Sequence, residues 1–553
     1  MSSYRNPILP GFNPDPTILF HDGSYFIITS SFEYFPGLPV YESTDLVSWR
    51  LIGHVLTRPS QLHLRACEPS GGIFAPTLRY NQNDGLFYVT VCALHRMRAA
   101  VQGDSQPSPR GFYVTTKDLR GGQWSDPVYY DQLGIDQDLC FGSDGKTYLS
   151  VARSYPSDSA RFNLGVFTTE IDLITGRSLR PAEFVRQSST EVPIAEGPHL
   201  IEKDDYWYLF VAEGGTEMMH QEWVYRSQSG PYGPWEVGPA KDASGQGINP
   251  LVFNDTHREI RQTGHMDITR GGDGRWWAVF LGVRPQWETY GDCVESQLGR
   301  ETFLAPLEWN EEGWPVVNSG QPISIKGLSS AQLPLAPPDY AKRFQFSPET
   351  DIFLDGWYQM RTPQCKFYSL TDRPGSIAIH GNGYTLENDE SPAILLTKQL
   401  SFKAVFELDL DFAPENAGEE AGVAIWYSKW NSGRIGVVGV KSTNGQMGRE
   451  LRIQLPDVKE VAPKIIKTPL LSTKDPIHLR IVAEPTRYHF EVAESGSTLK
   501  RVATMFSKGL TKTVPIPWLF VGTHFAIYCQ GQGDQRCFAP AFFSNIEMRG
   551  SHD

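Results

Sequence analysis

The chain is short of cysteine, with seven in 553 residues, at 67, 92, 140, 293, 365, 529 and 537. No two form a Cys-x-x-Cys pair, which excludes a zinc knuckle and a dithiol redox centre. The odd count and scattered spacing read as reduced, buried thiols, with one disulfide within 529–537 left open. A basic surplus is also missing. Fifty Lys and Arg face 63 Asp and Glu, for a net charge of −13. Nucleic acid and anionic lipid, which reward clustered cations, are therefore excluded as main partners, and neutral molecules remain. No apolar run approaches the ~18 residues that a membrane span needs. Met1–Leu9 shows no basic start leading into an apolar stretch, so a soluble, cytoplasmic protein is expected. No segment keeps a 3.6-residue apolar period over three turns. Neither Gly-x-Ser-x-Gly nor His-Glu-x-x-His occurs. Gly142–Thr147 ends like a phosphate loop, but Cys140 stands where its first glycine is required.

What is present is aromatic, turn-rich and repetitive. Aromatic residues make up 12% of the chain, with 51 Gly and 40 Pro. The length asks for two or three domains. Short alternating apolar runs follow Asp-Gly-type turns, which is strand chemistry. The turns start at Asp22, Asp84, Asp144, Asp204 and Asp273, so the intervals are 62, 60, 60 and 69 residues. Each feeds an aromatic strand such as Tyr25-Phe26-Ile27 or Tyr206-Trp207-Tyr208. Five all-β units of near-constant length predict a five-bladed β-propeller.

In a propeller the first strand of each blade lines the central channel, and the residues seven to nine before each turn lie on it. They are Asp15, Ala75-Pro76 just after Phe74, Asp136, Glu196 and His265. Inward carboxylates repel one another and lose hydration, so at least one pKa should rise. The bland alternative is a set of acids salt-bridged to channel arginines or holding a cation. The chemical reading is glycoside hydrolysis, which needs a protonated acid at the leaving oxygen and an ionised partner. A third carboxylate can keep the acid protonated. The aromatic surplus fits sugar stacking.

The motifs are specific. Asn6–Pro16, Ser31–Gly37, Ser70-Gly71-Gly72-Ile73-Phe74-Ala75-Pro76, Glu196-Gly197-Pro198-His199-Leu200 and Leu298-Gly299-Arg300-Glu301-Thr302 resemble glycoside hydrolase family 43. They most resemble its two-domain β-xylosidase/α-L-arabinofuranosidase branch. The resemblance implies Asp15 as general base, Asp136 as pKa modulator and Glu196 as general acid. It implies an inverting, exo-acting enzyme for neutral pentose-containing oligosaccharides, releasing xylose and arabinofuranose. It places Phe32, Phe74, Thr216, His265 and Arg300 at the sugar, with Arg284 a looser candidate. No cofactor is required by it; an axial divalent cation such as calcium beside His265 is the one candidate ion, on a weak ligand set. Homo-oligomers are common in such a branch. Two departures stand out. Phe74 replaces a usual Trp, keeping the stacking face but losing the indole N–H. Gln137 replaces the Pro expected after Asp136.

The expected domains are a propeller over 1–322, a linker over 323–340 and a β-sandwich over 341–553. In the last, Phe402, Ala404, Phe406, Leu408, Leu410 and Phe412 share one face, as do Ile477, Leu479, Ile481 and Ala483. By the same resemblance a sandwich loop, Thr523–Ala526 with Phe525, closes the funnel mouth. Competing readings are a mainly α-L-arabinofuranosidase activity, a non-catalytic sugar-binding propeller and a retaining transglycosidase.

Overall fold

A computed structural model describes residues 2–551 apart from 96–108, 158–160, 243–244, 256, 287–295, 336–338, 457–462, 471 and 512–519. Five antiparallel sheets follow one another in chain order. Blade one holds Thr17–His21, Ser24–Ile28, Gly37–Ser43 and Arg50–Leu56. Blade two runs from Gly72–Ile73 and Thr77–Asn81 through Leu86–Leu94 and Arg110–Thr116 to Val128–Tyr129. Blades three, four and five start at Ile135–Phe141, Ala195–Lys203 and Arg261–Arg270. The Asp turns join the first two strands of a blade, as in His21 opposite Ser24. Asp22 and Gly23 take φ 46° and 78° there, the left-handed pair that suits a tight hairpin. Apolar residues of the blades pack between neighbouring sheets, for example Phe210, Met266, Phe280 and Phe303 between blades four and five.

The ring closes at the N-terminal segment. Ile8 and Leu9 donate backbone hydrogen bonds to the Thr302 carbonyl of blade five, and Tyr4 Oη donates to Leu304 O at 2.7 Å. Ser2–Arg5 pairs with Lys326–Ser329, a strand within the stretch read as linker.

From Asp339 onward an eight-stranded sheet faces a seven-stranded one. The predicted apolar faces from Phe402 and Ile477 are buried between them. The second sheet does not stop at its own domain. Its edge strand Trp357–Met360 pairs with Tyr34–Phe35 of the propeller, and Arg361 N donates to Glu33 O at 2.7 Å. The seam is close enough to require glycine. At Gly11, with φ 73°, a Cβ would meet Gln399 O at 2.4 Å. The described cysteines, Cys67, Cys92, Cys140, Cys365, Cys529 and Cys537, are free. No helix of the described residues is long and apolar enough to cross a membrane.

Candidate active site

The funnel at the start of the inner strands gathers Asp15, Asp136, Glu196, His265 and Arg300. Three of these, Asp15, Asp136 and His265, hold φ of 53°, 54° and 55°, and Phe32 holds 45°. Left-handed backbone is costly for residues with a Cβ and persists only where the surroundings over-determine it. Here it turns each side chain from the blade toward the axis. Gln137 helps to hold the Asp136 turn, because its Nε2 donates back to Gly134 O at 2.7 Å. The strand register shifts between Ile135 and Asp138, between Glu196 and His199, and between Gly264 and Asp267. These bulges lie at the site residues, a common place for re-aimed side chains.

Asp15 is buried and fully engaged. Its Oδ2 accepts from Ser30 Oγ at 2.6 Å and its Oδ1 from Arg300 Nη1 at 2.9 Å. His265 Nδ1 stands 3.6 Å from Oδ1. Asp136 Oδ2 accepts the backbone N–H of Gly197 at 2.9 Å, so it is tied to the residue beside Glu196. Gly197 must be glycine; a Cβ there would meet the His265 ring at 2.8 Å. Glu196 makes no hydrogen bond among the described residues and keeps some exposure to the funnel.

The electrostatics separate the acids. Burial raises the Glu196 carboxyl, the charges of Asp136 and Asp15 add to this against Arg300, and the result is about 8. Glu196 is thus protonated at neutral pH. Burial also raises Asp136, opposed chiefly by His265 and the Gly197 N–H. Asp15 instead has a guanidinium directly on it. One proton donor and one arginine-paired carboxylate therefore face the same space.

Arg300 organises the mouth. Nη1 also reaches Thr216 Oγ1 at 3.3 Å, and Nη2 reaches Phe520 O at 3.4 Å. Its Nε is buried without a hydrogen-bond partner among the described residues, a donor suited to a sugar hydroxyl. Phe32 and Phe74 meet edge to face at 4.9 Å. Phe520 completes the aromatic wall at 6.0 Å from Phe32 and 6.3 Å from Phe74. Phe520 comes from the sandwich; its N–H donates to Ser70 Oγ at 2.8 Å.

Two readings of single residues change. Phe525 does not enter the mouth. It lies within His524–Gln530, paired on both edges to Thr397 and Ile425, and stacks on Phe406 at 5.1 Å in the sandwich core. A fully paired strand residue cannot extend into the funnel; Phe520, ahead of that strand, can. Arg284 is structural: it forms a bidentate pair with Glu301 at 2.6 and 2.9 Å, and Glu301 accepts Gly11 N–H at 2.8 Å.

A second charged layer lies further along the same strands. Arg79 donates to Asp267 Oδ2 at 2.9 Å and meets Asp138 Oδ1 at 2.8 Å. His199 Nδ1 is 3.0 Å from the guanidinium, and Thr17 Oγ1 donates to Asp267 at 2.6 Å. All five blades contribute. The sequence signal was available: Thr17, Asp138 and Asp267 each stand two residues past a site residue. This layer also bears on the axial cation. Arg300 engages Asp15 and Arg79 engages Asp138 and Asp267, so of these carboxylates only Asp136 is left to join His265, a sparse donor set for a hard cation.

The chain is similar to known proteins over nearly its whole length. The family model for glycosyl hydrolases family 43 matches residues 4–315, and that for the beta xylosidase C-terminal concanavalin A-like domain matches 346–549. A non-reducing end alpha-L-arabinofuranosidase of Bacteroides ovatus is 34% identical over 99% of this chain and 95% of its own. A xylan 1,3-beta-xylosidase of a Vibrio species is 31% identical over 90% of this chain and 89% of its own. Among solved structures, a xylan beta-1,4-xylosidase from Bacillus halodurans superposes with a TM-score of 0.84 at 27% identity, covering 99% of this chain and 100% of that one.

Proposed function

The chain belongs to glycosyl hydrolase family 43 and is a glycoside hydrolase, and from that premise we propose an inverting, exo-acting enzyme that releases terminal β-D-xylose from xylo-oligosaccharides and also cleaves α-L-arabinofuranosides. The observation that carries this reading is the division of the acids. Glu196 is kept protonated by burial and by two neighbouring carboxylates, while Asp15 is fixed by Arg300 and Ser30.

In this mechanism Glu196 gives its proton to the glycosidic oxygen as the C1–O bond breaks. Asp15 takes a proton from the water that attacks C1 from the opposite face, so the anomeric configuration inverts. Asp136 holds Glu196 in place through Gly197 N–H and keeps it protonated by its charge. Arg300 orients Asp15 and offers Nε–H to the sugar. Phe32, Phe74 and Phe520 shape a wall that favours a chain end over a chain middle. The free thiols at Cys529 and Cys537 support a reducing, cytoplasmic setting.

A mainly α-L-arabinofuranosidase activity is the second reading. It is favoured by Phe74, which presents a narrower ring than Trp, and by the likeness to the Bacteroides ovatus protein. Side-by-side hydrolysis of p-nitrophenyl β-D-xylopyranoside and α-L-arabinofuranoside decides between them. Asp15→Ala and Glu196→Ala should each lower turnover of natural oligosaccharides about 10²–10⁴-fold. A leaving group that needs no proton should partly rescue Glu196→Ala and not Asp15→Ala. Equal rescue of both would overturn the assignment of roles.

A further inference from the structure

The sandwich reaches the catalytic layer at a second place besides Phe520. Lys398 ends the sandwich strand Ile394–Lys398, and its amine lies inside the propeller, buried. Nζ donates to Asn13 Oδ1 at 2.7 Å and to Tyr41 Oη at 3.2 Å. The rings of Phe12, Tyr41 and Tyr358 surround it at 5.6, 5.7 and 5.4 Å. No carboxylate pairs with it among the described residues. The nearby His54 and His524 are both pushed down to about 3 by burial, with the Lys398 charge adding to it, so neither places a second cation beside it. Burial lowers Lys398 itself to about 7. An apolar residue would fill this position at lower desolvation cost, which raises the question of what the amine does.

It saturates Asn13. The Asn13 Oδ1 also accepts from Tyr41 Oη at 2.9 Å, and Nδ2 donates to Pro10 O at 3.0 Å. The backbone of Asn13 is held on both sides: N donates to Arg300 O at 3.0 Å and O accepts from Thr302 Oγ1 at 2.6 Å. Two residues on, Asp15 sits in its left-handed conformation. The amide is therefore locked in one orientation by donors from both domains.

We propose that Lys398 is a positioning residue for the general base: by clamping the Asn13 amide across the domain seam, it holds Asn13-Pro14-Asp15 so that Asp15 faces Arg300 and the attacking water. The proposal rests on the reading of Asp15 as base. It also assigns the sandwich a role in the chemical step beyond closing the mouth.

The test measures kcat, KM and melting temperature for Lys398→Met, Lys398→Gln, Asn13→Ala and the Lys398→Met/Asn13→Ala double variant, with Asp15→Ala alongside. Lys398→Met should lower kcat about ten- to 100-fold, with KM changed less than about threefold. The loss should persist on p-nitrophenyl glycosides, because an activated leaving group bypasses the acid and not the base. Lys398→Gln, which can still donate to Asn13, should recover part of kcat, and it carries the same comparison if Lys398→Met does not fold. The double variant should lose no more than Asn13→Ala alone. A kcat within about twofold of wild type with only a lower melting temperature would overturn the proposal. So would strictly additive losses in the double variant. If Asp15→Ala kept wild-type turnover, the base assignment itself would fall. If Asp15→Ala were inactive while Lys398→Met was not, only the clamp would fall.

Discussion

Two layers of charge sit on the same inner strands, a residue or two apart, and they behave in opposite ways. In the upper layer Asp15, Asp136 and Glu196 share one cation that touches only Asp15. In the lower layer Asp138 and Asp267 share Arg79, which touches both. Burial works to raise Asp136 and Glu196 above and Asp267 below. Above, nothing fully offsets it, and Glu196 rises to about 8. Below, Arg79, with His199 and the Thr17 hydrogen bond, outweighs burial and brings Asp267 down to about 2. The same residue types at the same depth are thus a proton donor in one layer and a fixed ion pair in the other. What differs is where the guanidinium lies.

The largest effect expected from breaking this contrast is at Arg79. Arg79→Met leaves Asp138 and Asp267 buried and unpaired, and removal of one partner of such a group costs about 3–5 kcal/mol. A large fall in melting temperature should result, and it should ease as pH is lowered. The sign follows from linkage. With Arg79 gone, burial raises the folded-state pKa of both acids above the unfolded value, so stability rises as they protonate. A melting temperature that is unchanged, or independent of pH, would show that Arg79 does not hold this layer.

A smaller effect should follow from neutralising one acid of the upper layer. Asp136→Asn keeps an acceptor for Gly197 N–H but removes a charge that raises Glu196. Glu196 must be protonated to act, so activity is lost as pH rises through its pKa. The alkaline limb of the kcat/KM profile should therefore move to lower pH in the variant. A limb that stayed in place would assign the raised pKa to burial alone. The smallest effect is expected at the wall. Phe74→Trp should change the ratio of xylosidase to arabinofuranosidase turnover by about tenfold or less, without moving either limb.

Much of this was legible in the sequence, and for a definite reason. Repeat phase is a one-dimensional property. The turns at Asp22, Asp84, Asp144, Asp204 and Asp273 count residues back to the inner strands, so Asp15, Asp136, Glu196 and His265 could be singled out without coordinates. The lower layer carried the same signal at two residues' offset in Thr17, Asp138 and Asp267, but charge on a core strand does not announce its partner. Phe525 shows the opposite failure. The resemblance placed the insertion at Thr523–Ala526, but His524–Gln530 is a strand, the Phe525 ring packs on Phe406, and the residue that reaches the mouth is Phe520, outside that segment.

The sequence by itself determined the all-β architecture, the five-fold repeat, the acids on the axis and the apolar faces of the sandwich, because each is written in local periodicity and turn chemistry. Only the tertiary structure decided which acid is protonated, which arginine is structural and where the second domain touches the site. Those depend on distances between residues hundreds of positions apart, such as Arg300 on Asp15 and Lys398 on Asn13, and on the burial that makes such distances count.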